Sequence, residues 1–364
     1  MKVKSVKIKN FKSIREITLE LKNINMLIGA NGAGKSNFIQ FFTLLNNIVN
    51  QNLQNYITEK GGADNFLFFG KKYSDFFSGH ISFGRNEYKF ELKPTADNNF
   101  YFSKEITIYE NTTYNKGIAE RDLSDGNKET NLIKQIEKDN RESVAYYIRK
   151  AMLSWRVYHF HDTSSTSKIK QESDINDNRV FRRDASNLAA FLFLLQEKYP
   201  DYFNRIESTI KLIAPFFDKF QLEPLALNNE KIRLEWKHIN SDQYFNANHF
   251  SDGTLRMICL ITLLLQPKLP DTIIIDEPEL GLHPSAIQLL ADLIKSVAAD
   301  NKQIICSTQS VTLLNQFLPE DIIVVDRENN ESKFRRLNKE PLEEWLDKYA
   351  IGELWEKNVF GGRP

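Results

Sequence analysis

Eight consecutive residues, Gly29-Ala30-Asn31-Gly32-Ala33-Gly34-Lys35-Ser36, constrain this 364-residue chain more than any other stretch. They fit G-x-x-x-x-G-K-[ST]. Apolar Met26-Leu27-Ile28 leads in, and Phe38, Phe41, Phe42, Leu45, Ile48 and Val49 lead out at helical spacing. Glycines let such a turn wrap tightly and point backbone N–H groups at one place. The helix start adds partial positive charge there. An ammonium from Lys35 and a hydroxyl from Ser36 then complete a cradle for a chain of phosphates and its Mg²⁺. Phosphate contacts are expected from Asn31, Gly32, Ala33, Gly34, Lys35, Ser36 and Asn37, a catalytic role from Lys35 and a metal bond from Ser36. The competing reading, a Gly-rich strand–helix turn with no ligand, does not explain the lysine and serine.

Ile273-Ile274-Ile275-Asp276-Glu277 supplies the partner element. The isoleucines bury a strand and the two acids emerge at its carboxyl end, where ligands bind in open α/β sheets. Asp276 is expected to hold Mg²⁺, and Glu277 to polarise the attacking water as general base. The last third of the chain alternates helix and strand, which predicts a parallel sheet with crossover helices.

Phe250-Ser251-Asp252-Gly253-Thr254 opens an apolar helix. Taken with the other two elements, it resembles the signature motif of ABC-type ATPases, in the SDGT form of the RecF/SMC/OLD-related branch. The resemblance runs from Ile8-Lys9-Asn10-Phe11-Lys12-Ser13 to Gly352-Glu353-Leu354-Trp355, and it is to the compact bacterial AAA/ABC-type ATPases. It implies that Ser251 and the Gly253 N–H contact a nucleotide held by the phosphate loop of a second copy, in a head-to-tail dimer or higher oligomer. The alternative for Ser251 is an ordinary helix cap. Glu277-Pro278-Glu279-Leu280-Gly281-Leu282-His283-Pro284 is similar to the EPE-x-GLHP run of the OLD-like branch, which puts His283 at the dimer interface unless it is structural.

Ser307-Thr308-Gln309-Ser310 has Gln309 where ABC ATPases usually carry a γ-phosphate-sensing His. An amide can donate to phosphate or orient water but cannot carry a proton or a positive charge, so slow or conditional hydrolysis is expected. Trp155 to Phe160 reads as the strand before the Q-loop, with His161 or Asp162 in place of its Gln; a structural role for His161 stays open. Arg182 and Arg183 read as phosphate contacts or as solvated charges, the second being favoured.

The expected fold is an α/β P-loop ABC-type ATPase head, with a mixed N-terminal β-sheet, a central parallel sheet flanked by helices, and an inserted helical/β lobe. Its parts are residues 1–60 for the phosphate-loop lobe, 61–248 for the insertion, 249–330 for the signature and acidic lobe, and 331–364 for a C-terminal hairpin, helix and tail. Within the insertion, a hairpin is expected to turn at Asn228-Asn229, 111–143 as a polar loop plus helix, and 164–186 as a polar mobile stretch. No heptad arm and no appended nuclease domain is evident, so nuclease activity would need a partner chain.

Lysines and arginines number 48, as do acids, so bulk charge gives no push toward nucleic acid or acidic membrane. The lysines Lys2, Lys4, Lys7, Lys9 and Lys12 read as a nucleic-acid stripe or, the favoured reading, as the solvated face of an edge strand. Cys259 and Cys306 sit in apolar runs and read as buried thiols. The densest apolar run, Met257–Leu265, is too short to span a bilayer, and a cytoplasmic protein without a membrane partner is expected. The resemblance implies ATP and Mg²⁺ as cofactors and an ATPase whose nucleotide-bridged dimerisation regulates a separate effector, a nuclease or toxin in anti-phage defence. The rivals are a low-turnover ATP-gated scaffold and a RecF-like DNA-repair ATPase.

Overall fold

The computed structural model describes residues 1–111, 117–139 and 143–363. Two six-stranded sheets organise them. The central sheet runs Glu331–Arg336, Ile322–Glu328, Ile24–Ile28, Gln303–Ser307, Thr272–Asp276, Val157–Tyr158. Its pairings are parallel except at the Ile322–Glu328/Glu331–Arg336 edge, where a tight connection reverses the chain. The second sheet, Ile14–Glu20, Ser5–Phe11, Phe77–Ser82, Asn86–Pro94, Phe100–Asn111, Gly117–Asp122, is antiparallel at every described ladder. The mixed pairing therefore belongs to the central sheet and not to the N-terminal one. Mostly hairpin-like connections build the latter, and they join antiparallel neighbours.

Alternation along the central strands splits the core in two. Ile274 faces one cluster with Leu27, Ile305 and Ile323. Its neighbours Ile273 and Ile275 face the other with Met26, Ile28, Ile304 and Cys306. A sheet covered on both faces needs strands apolar on both faces, hence the unbroken isoleucine runs. The first cluster takes in helix Lys35–Val49 and a phenylalanine group in which Phe11 meets Phe41 at 5.6 Å and Phe77 at 5.5 Å. The second takes in helices Leu188–Lys198, Pro200–Ile213, Asp252–Leu265 and Pro284–Ala299. Each fully buried side chain of this size contributes roughly 1.5–3 kcal/mol.

Four local expectations change. The Trp155–Phe160 segment pairs only at Val157–Tyr158, because the chain then turns to let the His159 N–H donate to the Arg183 carbonyl. The insertion hairpin turns at Ala226-Leu227, with Asn228 and Asn229 inside strand Asn228–Ile232. Within 111–143, Gly117–Asp122 is a strand and Leu132–Lys138 a helix; residues 112–116 and 140–142 lie outside the described residues. A further helix, Val144–Ser154, is capped by Ser143 Oγ accepting from the Tyr146 N–H. Finally, 164–186 is a pinned strap: Ile169, Phe181 and Ala185 are buried, and Asn187 donates to the Asp177 and Val180 carbonyls.

Candidate functional site

Strand register builds the site. Asp276 pairs with Ser307, and Ser307 with Leu27, so three parallel strands end at one edge. The loop after each strand therefore opens on the same place: residues 29–34 after Ile28, the Glu277 turn after Asp276, and Thr308-Gln309 after Ser307. The Thr308 N–H donates to the Leu27 carbonyl at 2.9 Å, which locks the last of these to the phosphate-loop strand.

Gly34 holds φ at +120°, and a Cβ there would stand 2.1 Å from Ser332 Oγ. That hydroxyl donates to the Ala33 carbonyl and accepts from Ser13 Oγ at 2.6 Å. Asn37 donates to the same Ser13, so its side chain braces the loop. Lys35 is buried and folds over the loop, with Nζ donating to the Gly29 carbonyl at 2.6 Å and the Ala30 carbonyl at 3.1 Å. Burial lowers its pKa, and the negative charges of Glu277, Asp276 and Glu279 act in the opposite direction. Asn31, Gly32 and Ser36 are exposed, and Ala33 is buried. Among the described residues Ser36 makes no side-chain hydrogen bond.

The Asp276 carboxylate is mostly buried, accepts from Ser307 Oγ and lies 3.5 Å from His159 Nδ1. His161 Nε2 meets the Asp276 backbone carbonyl at 2.9 Å. Asp162 turns away and accepts from the Ser164 N–H and hydroxyl. Neither residue expected at the Q-loop position faces the Asp276 carboxylate; His159 does. Tyr158 pairs with Ile275, so the following residue falls level with Asp276. Burial lowers the His159 pKa while Asp276 pulls it up.

Glu277 sits at a φ of +44°, uncommon for a residue with a Cβ. Its N–H donates to the Ser307 carbonyl at 3.0 Å and its carboxylate accepts from the Gln309 amide. Glu279, unassigned by sequence reasoning, accepts from Thr308 Oγ1 at 2.7 Å and the Gln309 N–H at 2.9 Å. Its second oxygen is buried without a partner, and burial raises its pKa. Its only sequence signal was its place two residues after Glu277.

Ser251 caps its own helix, accepting from the Thr254 N–H at 3.2 Å, and is exposed. Among the described residues no hydrogen bond joins it to the phosphate loop. Gly253 packs so closely on the next loop that a Cβ would stand 2.4 Å from the Gly281 carbonyl. Arg256 ties this helix to the site by donating to the carbonyls of Phe160, His161 and Leu280. Its signal was a lone guanidinium in an apolar helix. His283 is exposed and caps helix Pro284–Ala299 through the Ser285 N–H. Arg182 is exposed and paired with Asp177, whereas Arg183, expected to be solvated, is half-buried and donates to Asn46 Oδ1. Both cysteines are buried. No helix among the described residues is long and apolar enough to cross a membrane.

The donors suit a hard cation bound with a polyphosphate: a serine hydroxyl, a carboxylate and loop N–H groups at a helix start. Residues 24–315 match the sequence model of a family described as "AAA domain, putative AbiEii toxin, Type IV TA system". The Old nuclease of Escherichia phage P2 is 24% identical over 381 residues, taking in 94% of this chain and 62% of the nuclease. A putative ABC transporter ATP-binding protein of Methanosarcina acetivorans is 26% identical over 126 residues, 32% of this chain and 45% of that protein. The chain thus spans less than two thirds of either relative. A Smc head solved with the C-winged helix domain of ScpA superposes with a TM-score of 0.61 at 16% identity, covering 94% of this chain and all of that one (100%). A Pyrococcus furiosus Smc head domain with an extended coiled coil, bound to the C-terminal domain of ScpA, gives 0.56 at 14% identity, covering 95% and 98%. These likenesses show an SMC-head-like α/β fold.

Proposed function

The chain belongs to this AAA-domain family and is an ATPase of the SMC/OLD/RecF type, and from that premise we propose that it binds ATP between two copies of itself to control a separate effector. The observation that carries the reading is the meeting of the loops that bear Lys35, Asp276, Glu277 and Gln309 at one strand edge, while Ser251 is exposed and bonds only within its own helix.

In this reading the backbone of residues 31–37 cradles the phosphates, and Lys35 leaves the Gly29 and Ala30 carbonyls for phosphate oxygens. Ser36 and Asp276 would hold Mg²⁺, which would neutralise charge on the phosphates. Glu277 takes the proton of the attacking water. Gln309 orients that carboxylate, and its lack of a titrating proton favours slow turnover. Ser251 and the Gly253 N–H close the site from the second copy, so dimer lifetime follows hydrolysis. The match to a family described by a toxin system supports a toxin-like effector as the partner, and defence against phage is the role we propose for the pair.

The test is sizing by light scattering with and without ATP. Glu277→Gln should lock an ATP-dependent dimer and cut phosphate release about 100-fold or more, and Lys35→Ala should give neither dimer nor turnover. Full turnover by a strict monomer would refute the proposal.

A further inference from the structure

Arg156, Arg179, Arg182 and Arg183, with Asp177 and Asp184, line a cavity of about 550 Å³. Arg182 is neutralised by Asp177 at 2.5 Å. Among the described residues Arg156, Arg179 and Arg183 have no ion pair. Arg183 is half-buried on Asn46, and burial together with the Arg156 charge lowers its pKa. Several guanidinium charges gathered without a counter-ion repel one another, and an anion among them removes that repulsion. Guanidinium forks match phosphate oxygens bidentately.

A second cavity of about 310 Å³ shares Arg156, Arg179 and Val180 as its wall. Its other lining includes Tyr158, Phe191, Leu195, Tyr199, Leu269 and Pro270. A cationic chamber thus opens beside an apolar, partly aromatic one, the combination that small anionic ligands with a planar body require. We propose that the two cavities form a second ligand site for a small phosphomonoester of the nucleoside monophosphate class. The phosphate lies among Arg156, Arg179 and Arg183, and the base lies against Tyr158 and Phe191.

A small ligand fits better than a nucleic-acid strand. Arg156, Arg179, Arg183 and Lys268, which have no ion pair among the described residues, are gathered at the two adjoining cavities, Asp177 and Asp184 share the lining with them, and the chain's formal net charge is zero. The site uses none of the phosphate-loop residues and does not depend on ATP turnover.

Isothermal titration of the full chain tests this with adenosine and uridine 5′-monophosphates, the unphosphorylated nucleosides and a 5′-phosphorylated oligothymidylate. Either monophosphate should bind wild type and Lys35→Ala alike, at least about tenfold tighter than its nucleoside. Arg179→Glu should weaken it by at least the same factor. Arg179 is exposed, so this change should leave the thermal melt in place, and Arg156→Gln gives a second variant. Four results would overturn the proposal: neither monophosphate binding, nucleoside and monophosphate binding equally, binding lost in Lys35→Ala but kept in Arg179→Glu, or the oligonucleotide binding more tightly than both monophosphates.

Discussion

The Gln309 side-chain amide donates to Oε1 of Glu277, and the two residues extend from neighbouring parallel strands, Gln303–Ser307 and Thr272–Asp276. A carboxylate at a positive φ is thereby aimed by an amide that itself never ionises. Gln309→Ala should lower turnover about 100-fold, the lower end of the range for removing one preorganised polar contact. ATP affinity by equilibrium dialysis should move less than about threefold. Equal losses in both would mean that Gln309 grips the ground-state nucleotide instead.

Glu279 fixes the same loop from beneath through the Thr308 hydroxyl and the Gln309 N–H. Glu279→Ala leaves both donors without their acceptor, at a cost of about 1–3 kcal/mol in urea unfolding. Glu279→Gln keeps a carbonyl oxygen in place and should recover most of it. If both variants unfold at the wild-type midpoint, Glu279 does not hold the loop.

Gly34 admits no side chain. Its φ of +120° is one that other residues rarely adopt, and a Cβ would press on Ser332 Oγ, which braces Ala33. Gly34→Ala should abolish binding of a fluorescent ATP analogue and lower the melting temperature. Unimpaired analogue binding would show that the loop tolerates a rearranged Ser332.

How much of this was legible in the chain follows from where each signal lies. Gly34, Lys35 and Ser36 work as neighbours, so a contiguous motif displayed them, and the isoleucine run announced a strand buried on both faces. The place of His159 depends on the edge strand stopping at Tyr158, which is set by its pairing with Ile275 and by the Arg183 carbonyl. No local pattern contains that. Gly117–Asp122 is exposed at every residue, so it has no apolar alternation to betray it, and its neighbour strand Phe100–Asn111 alone defines it. Glu279 acquires its partners only because strand Gln303–Ser307 lies beside strand Thr272–Asp276.

Glu105 gives a pH signature away from the site. Its carboxylate is buried and accepts from the Tyr88 hydroxyl at 2.7 Å, the Asn131 N–H at 2.9 Å and Thr130 Oγ1. Desolvation by burial outweighs these bonds and raises its pKa above the ordinary 4.5. The folded chain therefore keeps this proton to higher pH than the unfolded chain. Stability falls as pH rises from about the ordinary carboxylate value through the raised folded value, and is level beyond it. Glu105→Gln has no proton to lose there, so its urea midpoint should change less than that of wild type between about pH 4.5 and pH 7. Parallel curves for the two proteins would contradict the assignment.

The head-to-tail arrangement makes its own demand on mixed assemblies. If Lys35 from one copy and Ser251 from the other complete each site, a dimer has two such composite sites. Lys35→Ala removes the phosphate ligand from both sites of any pairing with itself, and Ser251→Arg blocks both sites of its own, so neither forms an ATP-bridged dimer alone. In a mixed dimer both defects fall on one site, and the other receives a native Lys35 and a native Ser251. Two inactive preparations, mixed in equal amounts, should therefore regain activity. Because only the mixed pair has a working site for ATP to bridge, the dimers that form are mixed, each with one working site of two, so phosphate release should approach about half of wild type if the sites act independently. Ser251 is exposed and caps only its own helix, so the arginine should cost the fold at most about 2 kcal/mol. Both variants must first show wild-type circular dichroism. A mixture as inactive as its parents would place Lys35 and Ser251 in the same copy's site, or in no shared site.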